Sequence, residues 1–430
     1  MNYKAALERL YARSDPERGP GFWSGGGDPN MGPQRARAML AVAGDPQDEL
    51  CCFHIAGSTG KGSTAMYLAA ALSGLGYCAG LYTQPHLHTY RERLQLGSGP
   101  ISGTEFAAVF ERVLQYEDAS RQQGPDLGPA TTYEFTTVMA FDWFQRRGAR
   151  FAVIETGLGG RLDASNVLSA PAAVLLTPIE LEHARILGPG LARIAAEKAA
   201  IIKPGSVVVS APQAPAATRV IAERCRAQDA QLHVVGPPEI AAAQRLIRAP
   251  QLAASAALAL KALALHDSTS DRANILPRMA ETSLPARCEV IAGRPPLVVD
   301  GGHTARAMEH LAEFVGDRFG DRNVQLVFGC STDKPASDLL ESWRGRIAGL
   351  HLCAAKHPRA TSPEVLAGTI GFGRPATYPD VPAAFAGAGA AAGVDGLVVA
   401  TGSMHVAAAA RSEAKGLAGY REPIPIATAP

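Results

Sequence analysis

The sequence predicts an α/β protein of two domains. The first, residues 1–293, has a parallel sheet built behind a phosphate loop. The second, residues 294–430, is a smaller Rossmann-like α/β domain. Three observations predict this. Strand-sized apolar runs alternate with helix-sized segments along the chain. The first of these runs leads into a glycine-rich loop that opens a helix. After a proline-punctuated stretch the alternation starts afresh near residue 294. A length of 430 residues suits two or three domains at about 150 residues each.

The elements follow in order. Leu50–Ala56 is a short apolar run ending in glycines, read as a buried parallel strand, and Lys61–Leu75 has helical composition. Gly76–Thr83 reads as the second strand, and helices are expected over Thr104–Gln122 and Thr132–Arg147. Phe151–Thr156, Ala172–Thr177, Ser206–Ala211 and Leu232–Gly236 are further strands, with helices at Leu191–Ile202 and Ala214–Ala227 between them. Arg272–Pro296 holds three separated proline sites and reads as an interdomain connection. The second domain continues with strands at Pro295–Asp300, Val324–Gly329, Gly349–Ala355 and Gly396–Gly402. The Ala/Gly-rich stretch Ala383–Gly393 reads as a tightly packed helix and its exit.

Composition excludes several classes. An apolar fraction of 47% with 19% charged residues rules out global disorder. Lys plus Arg number 41 and Asp plus Glu 40, so there is no basic excess of the kind nucleic-acid and membrane-surface proteins carry. Neither nucleic acid nor membrane is therefore expected as a partner. The seven cysteines form no CxxC, which supports neither structural zinc nor a disulfide framework. A reducing cytoplasm is the expected compartment, since the N-terminus has no apolar signal core and no run reaches the ~18 residues of a transmembrane helix. A monomer is expected.

The strongest local motif is GSTGKGST, comprising Gly57, Ser58, Thr59, Gly60, Lys61, Gly62, Ser63 and Thr64. Its glycines let backbone N–H groups turn toward anionic oxygens, and the helix N-terminus that follows adds partial positive charge. Lys61 is suited to the β- and γ-phosphates and Ser63 to phosphate or Mg²⁺. Only Ser58 and Thr59 separate the first glycine from the Gly-Lys pair, where a strict Walker A has four residues, so this is a shortened variant. The loop alone leaves a motor, a kinase and an ATP-driven ligase open.

Several segments, in order over most of the chain, resemble the folylpolyglutamate synthase/dihydrofolate synthase family of the Mur ligase superfamily. GSTGKGST is similar to its GTNGKGS loop, Gly80–Leu94 to its TSPHL…ERI segment, and Val153–Val167 to its EVGLGGRLDATNV, the most specific match. Leu181–Gly205 resembles its LDH…LG…IA.EKAGIIK; Leu284–Ile291, Val298–Thr304 and Asp333–Lys334 match PGR, DGAHN and DKD more loosely. The resemblance implies a central P-loop ATPase domain and a C-terminal glutamate-ligase domain. It also implies a reaction in which ATP phosphorylates a pteroate or folate carboxylate and L-glutamate attacks the acyl phosphate. ATP and Mg²⁺ are the implied cofactors.

Carried over residue by residue, the resemblance makes Gln84, Glu155 and His183 Mg²⁺ ligands, with Lys198, if carbamylated, the ligand of a second Mg²⁺. Lys61, His183 and Lys198 become catalytic. Taken alone, His183 would be a structural histidine, Glu155 a strand-end carboxylate and Lys198 a solvated helix lysine beside the acidic Glu197. Arg287, Asp300 and His303 match nucleotide-binding positions, Arg287 swinging onto the phosphates as the cleft closes; the plainer reading of Arg287 is an interdomain salt bridge. Thr132, Tyr133, Glu134, Phe135, Leu162, Asp163 and Ala164 align with pterin-contacting segments, as does Asn30–Gly32.

The departures fall at ATP and metal positions. Thr59 replaces an asparagine, Gln84 the serine ligand, and Glu182 the aspartate before His183. Gly302 and Thr304 alter DGAHN, while Pro250 and Ala254 replace the histidine and asparagine of HQxxNA. Gly236–Gln251 is shorter than the family's β-rich segment there. Two readings follow: an active divergent ligase, favoured by retention of every charged group, or a paralogue with low ligase activity acting as a nucleotide-binding regulatory protein.

Overall fold

The computed structural model describes residues 1–14, 32–97, 99–124, 127–247, 250–267 and 272–416. These form two compact units, the first running to Thr282 and the second taking Ser283 onward together with Leu87–Thr89. The sequence put this division at residue 294.

The first unit holds an eight-stranded sheet: β1 (Cys51–Ala56), β2 (Gly80–Tyr82), β3 (Leu94–Leu96), β4 (Gly99–Pro100), β5 (Phe151–Glu155), β6 (Ala173–Leu176), β7 (Val207–Ser210) and β8 (Gln231–Val234). Their spatial order is β4-β3-β2-β5-β1-β6-β7-β8. From β2 to β8 all neighbours are parallel, and β5 and β6 are buried along their whole length, as strands covered by helices on both faces must be. The antiparallel edge β3–β4 was not anticipated; its two segments are too short to carry an alternating pattern. β1 lies between β5 and β6, so the loop that leaves it enters the crevice where the strand order reverses.

The second unit contains β9 (Glu289–Ile291), β10 (Leu297–Val299), β11 (Val324–Phe328), β12 (Gly349–Cys353), β13 (Ala376–Tyr378) and β14 (Leu397–Thr401), in the order β13-β12-β11-β14-β10-β9. All pairs are parallel except β9–β10, which moves the start of this sheet upstream of residue 294.

Arg272–Pro296 is not the plain connection expected. Arg272–Glu281 is a helix with Pro277 inside it, and β9 follows. Close packing explains the helix. A Cβ on Gly74 would stand 2.7 Å from the Asn274 carbonyl oxygen and 3.1 Å from Ile275 Cα, so glycine at the end of helix Lys61–Gly74 is what admits it. The short stretch after Gly236 forms helix Pro237–Gln244, and Ala383–Gly393 lies within helix Val381–Ala392 and its glycine exit.

The core of the first unit carries one titratable group with a measurable consequence. His54, in the middle of β1, is fully buried and its Nε2 lies 2.8 Å from Ser165 Oγ. Burial above all, and then the Lys203 charge, lowers its pKa to about 3. The unfolded chain takes up this proton near pH 6.5 while the native state refuses it, so stability falls as pH falls through that window. At pH 5 the loss is about 2 kcal/mol. His54→Gln should therefore show a smaller drop in urea midpoint between pH 7 and pH 5 than the parent chain. Equal drops would mean that the imidazole titrates normally.

Candidate functional site

The phosphate loop stands where the sequence placed it. Gly60, in the left-handed region at φ +84°, is the N-cap of helix Lys61–Gly74, and that helix starts with no side-chain cap. Its first-turn N–H groups thus have no side-chain acceptor at the cap, the arrangement that suits an anion. The loop is tied on its far side: the Ser58 and Thr59 N–H groups donate to the Pro178 carbonyl (2.9 and 3.3 Å). Ser255, on helix Pro250–His266, donates its Oγ to the Gly60 carbonyl at 3.4 Å, one position beyond the Ala254 that replaces a family asparagine.

Two lysines converge on one carbonyl. Lys61 Nζ donates to the Gly57 and Ser58 carbonyls (3.1 and 3.2 Å), and Lys198 Nζ donates to the same Gly57 carbonyl at 2.7 Å and to Glu182 Oε1 at 2.9 Å. Lys198 is nearly inaccessible. Burial, and then the Lys61 charge, lowers its pKa to about 8 against the opposing pull of Glu182. Burial pushes Glu182 upward, but Lys198 and Lys61 outweigh it and hold the carboxyl below its usual range. The acid beside Lys198 is therefore Glu182. Glu197, expected from its place in the sequence, points away and pairs with Arg161 Nε at 3.0 Å. His183 caps a short helix with φ +50° and is half exposed, its Nε2 4.0 Å from Glu182 Oε2.

Glu155 flanks the loop on the other side. Register sets it opposite Ile55, two residues before Gly57, and a Cβ on Gly62 would stand 3.3 Å from its Oε2. The same oxygen accepts the Gln84 N–H at 3.1 Å. The Gln84 side-chain amide is buried, and its Oε1 has no hydrogen-bond partner among the described residues; buried Thr64 Oγ1 and Thr177 Oγ1 are orphaned likewise. Orphaned buried oxygens are costly and call for a partner. A carboxylate and an orphaned amide oxygen beside a phosphate loop form a hard-oxygen set that fits Mg²⁺. Among the described residues no trio of His, Cys, Asp and Glu converges on one point.

The segments aligned with pterin contacts meet one another, but most of their side chains are engaged in scaffold. Glu134 closes the capping box with Thr131 and forms a buried two-pronged pair with Arg35 (2.6 and 2.8 Å). Phe135 and Ala164 lie in the core, and Thr132 Oγ1 donates to the Leu10 carbonyl at 3.2 Å. Asp163 is buried and accepts the Gly157 and Leu158 N–H groups (2.7 and 3.0 Å), Ser165 Oγ (2.5 Å) and Tyr133 OH (3.0 Å). It is thus the pin of the Gly157–Asp163 turn. Tyr133 and Leu162 are the half-buried members of these segments. Gly32 packs against the Leu162 carbonyl, while Asn30 and Met31 lie outside the described residues.

In the second unit Arg287 is half-buried, and its Nη1 donates to the Ala286 carbonyl and to Met404 Sδ, both at 2.9 Å. Asp300 is buried just after β10 and spends both oxygens on backbone, accepting the Cys288 N–H (2.8 Å) and the Gly302 N–H (2.6 Å). Burial raises its pKa, opposed by Arg287 and these donors. Its geometry is that of a support for the Arg287 turn. His303 is exposed, with Nδ1 3.0 Å from the Gly301 carbonyl.

Residues 286–404 match the family model described as Mur ligase, glutamate ligase domain. Together with a phosphate-loop α/β unit, this defines a protein of the Mur ligase superfamily. Over 361 residues the chain is 31% identical to a dihydrofolate synthase/folylpolyglutamate synthase of Bacillus subtilis (strain 168), covering 77% of this chain and 83% of that relative. The chain belongs to the folylpolyglutamate synthase/dihydrofolate synthase family. Among solved structures, the Mycobacterium tuberculosis folylpolyglutamate synthase complexed with ADP superposes with a TM-score of 0.83 at 24% identity, over 96% of this chain and 99% of that one. The bifunctional enzyme of Yersinia pestis c092, complexed with AMPPNP and Mn ion, gives 0.82 at 25% identity, over 96% and 98%. No helix among the described residues is long and apolar enough to cross a membrane.

Proposed function

We propose that this chain is an ATP-dependent carboxylate–amine ligase joining L-glutamate to a carboxylate of a pteroate or folate. The γ-phosphoryl of ATP passes to the acceptor carboxylate, and the glutamate amine displaces phosphate from the acyl phosphate, giving an amide, ADP and phosphate. The observation that carries the reading is the assembly at the end of β1: a phosphate loop, two lysines on one loop carbonyl and Glu155 beside Gly62.

Lys61 leaves the loop carbonyls to neutralise the β- and γ-phosphates, while the first-turn N–H groups orient them. Glu155 and Gln84 would hold Mg²⁺, with His183 a further ligand and a carbamylated Lys198 the ligand of a second Mg²⁺, as the family resemblance assigns. The ion, when bound, draws charge off the transferring phosphoryl group. Tyr133 and Leu162 face the pterin. In the second unit Arg287, Asp300 and His303 are the nucleotide-binding residues that the family resemblance assigns. We read the protein as a cytoplasmic monomer acting on small molecules.

The test is ADP release from ATP and Mg²⁺ with L-glutamate, comparing dihydropteroate with tetrahydrofolate as acceptor. Release that needs both glutamate and one of the acceptors is the expected result, and the preferred acceptor assigns synthase type. Nucleotide binding with no acceptor-dependent release would instead make the chain a regulatory nucleotide-binding protein.

A further inference from the structure

The backbone around Arg287 is held in a shape that its residues do not favour. Ala286 and Cys288, on either side of it, are non-glycine residues in the left-handed region, at φ +52° and +47°. Such residues persist only where their surroundings over-determine them. Here two buried carboxylates do so. Asp300 takes the Cys288 N–H, as described above. Glu289, nearly inaccessible, takes the Ala286 N–H with Oε2 at 3.0 Å.

Glu289 is itself clamped by helix Met404–Ala414 and its C-cap. Arg411 Nε donates to its Oε2 at 2.8 Å and Lys415 Nζ to its Oε1 at 2.9 Å. Burial pushes this carboxyl up, but the bonds from Arg411, Lys415 and Ala286 outweigh burial and keep it ionised below the usual range. Arg411 is fixed in turn, its Nη1 donating to His88 Nε2 at 2.9 Å within the same unit. Met404, at the other end of that helix, supplies the sulfur against which Arg287 rests.

From this arrangement we infer that Glu289 is a positioning residue: clamped by Arg411, it sets the left-handed turn that holds the Arg287 guanidinium in place for its role toward nucleotide. The inference rests on the reading of Arg287 given above. A carboxylate on the second residue after an arginine would ordinarily be its surface partner. Here it makes its bonds to the backbone before Arg287 and to other cations, so its effect reaches nucleotide only through the turn.

The test is a double-mutant cycle between Arg287→Ala and Glu289→Ala, read by calorimetric binding of AMPPNP and by KM for ATP and for glutamate. Removing one charge-assisted contact should weaken AMPPNP binding about tenfold in Arg287→Ala, and Glu289→Ala should approach that loss. KM for ATP should rise in both while KM for glutamate holds. In the double variant, loss no greater than that of Arg287→Ala alone is expected, because Glu289 acts only through Arg287. Multiplying losses, or unchanged AMPPNP binding in Glu289→Ala, would overturn the positioning role. Unchanged binding and turnover in Arg287→Ala would instead overturn the reading of Arg287. Thermal melting checks the fold of each variant. If Glu289→Ala does not fold, Glu289→Gln, which keeps an acceptor for the Ala286 N–H but loses the charge that Arg411 clamps, is put through the same cycle with the same criteria.

Discussion

Lys61→Ala should cut ATP turnover about 10²- to 10³-fold and leave the fold standing. The side chain's hydrogen bonds in the structure go to the Gly57 and Ser58 carbonyls, at 3.1 and 3.2 Å, in a half-buried position that water can re-enter. Lys61 is also the first residue of its helix, where alanine is a good helix former. The loss to stability is therefore small, and the loss to chemistry large. A preorganised donor to a phosphoryl group in transit is worth about 10²- to 10³-fold in rate. Steady-state ADP release and a melting curve check the two halves of the expectation. Near-parent turnover would remove the phosphate-loop assignment, and a collapse in melting temperature would make Lys61 a structural clasp. A third readout is independent of catalysis. Lys61 is the second cause holding Lys198 down, so its removal should move the Lys198 titration upward from about 8.

What the sequence carried about this site follows physical lines. Strands covered on both faces read as unbroken apolar runs, so β1, β5 and β6 were legible almost to the residue, and with them Gly57 and Glu155. Edge elements were not. The β3–β4 hairpin and β9 are two or three residues long and depend on pairing with a neighbour rather than on their own pattern. Pro277 argued against a helix in Arg272–Glu281, and tertiary packing against Gly74 overrode it. Motif alignment named segments that meet in the fold but did not say which of their side chains are taken up by the scaffold. Glu134 and Asp163 sit inside segments that the resemblance aligns with pterin contacts, yet their oxygens are taken by Arg35 and by the Gly157–Asp163 turn. Glu182 entered as a departure from the family's aspartate and proves to be the ion-pair partner of Lys198. Its longer side chain was the available signal. Glu289 went unremarked because its partners, Ala286, Arg411 and Lys415, are revealed only by folding.

Lys198→Ala should lose most activity, and Lys198→Arg should not restore it. The structure sharpens the reason. An ammonium at Lys198 is buried beside the Lys61 charge, and its pKa falls to about 8, so a substantial neutral fraction exists near that pH. Only the neutral amine attacks CO₂: the nitrogen lone pair forms a C–N bond, one C=O pair moves onto oxygen, and a proton leaves to solvent. The product is an anion where a cation stood, and it must part from Glu182, now a like charge at hydrogen-bond range. That repulsion opposes the step unless a metal ion lies between the two groups, so carbamylation and Mg²⁺ binding should rise together. A carbonyl resonance from ¹³C-bicarbonate should then strengthen with Mg²⁺ in the parent chain and be missing from Lys198→Ala. Small carboxylic acids should partly restore Lys198→Ala by filling the carbamate's place. Arginine stays charged and cannot take up CO₂. An active Lys198→Arg enzyme would show that the residue serves as a plain cation bridging Glu182 and the Gly57 carbonyl, and the second metal position would go with it.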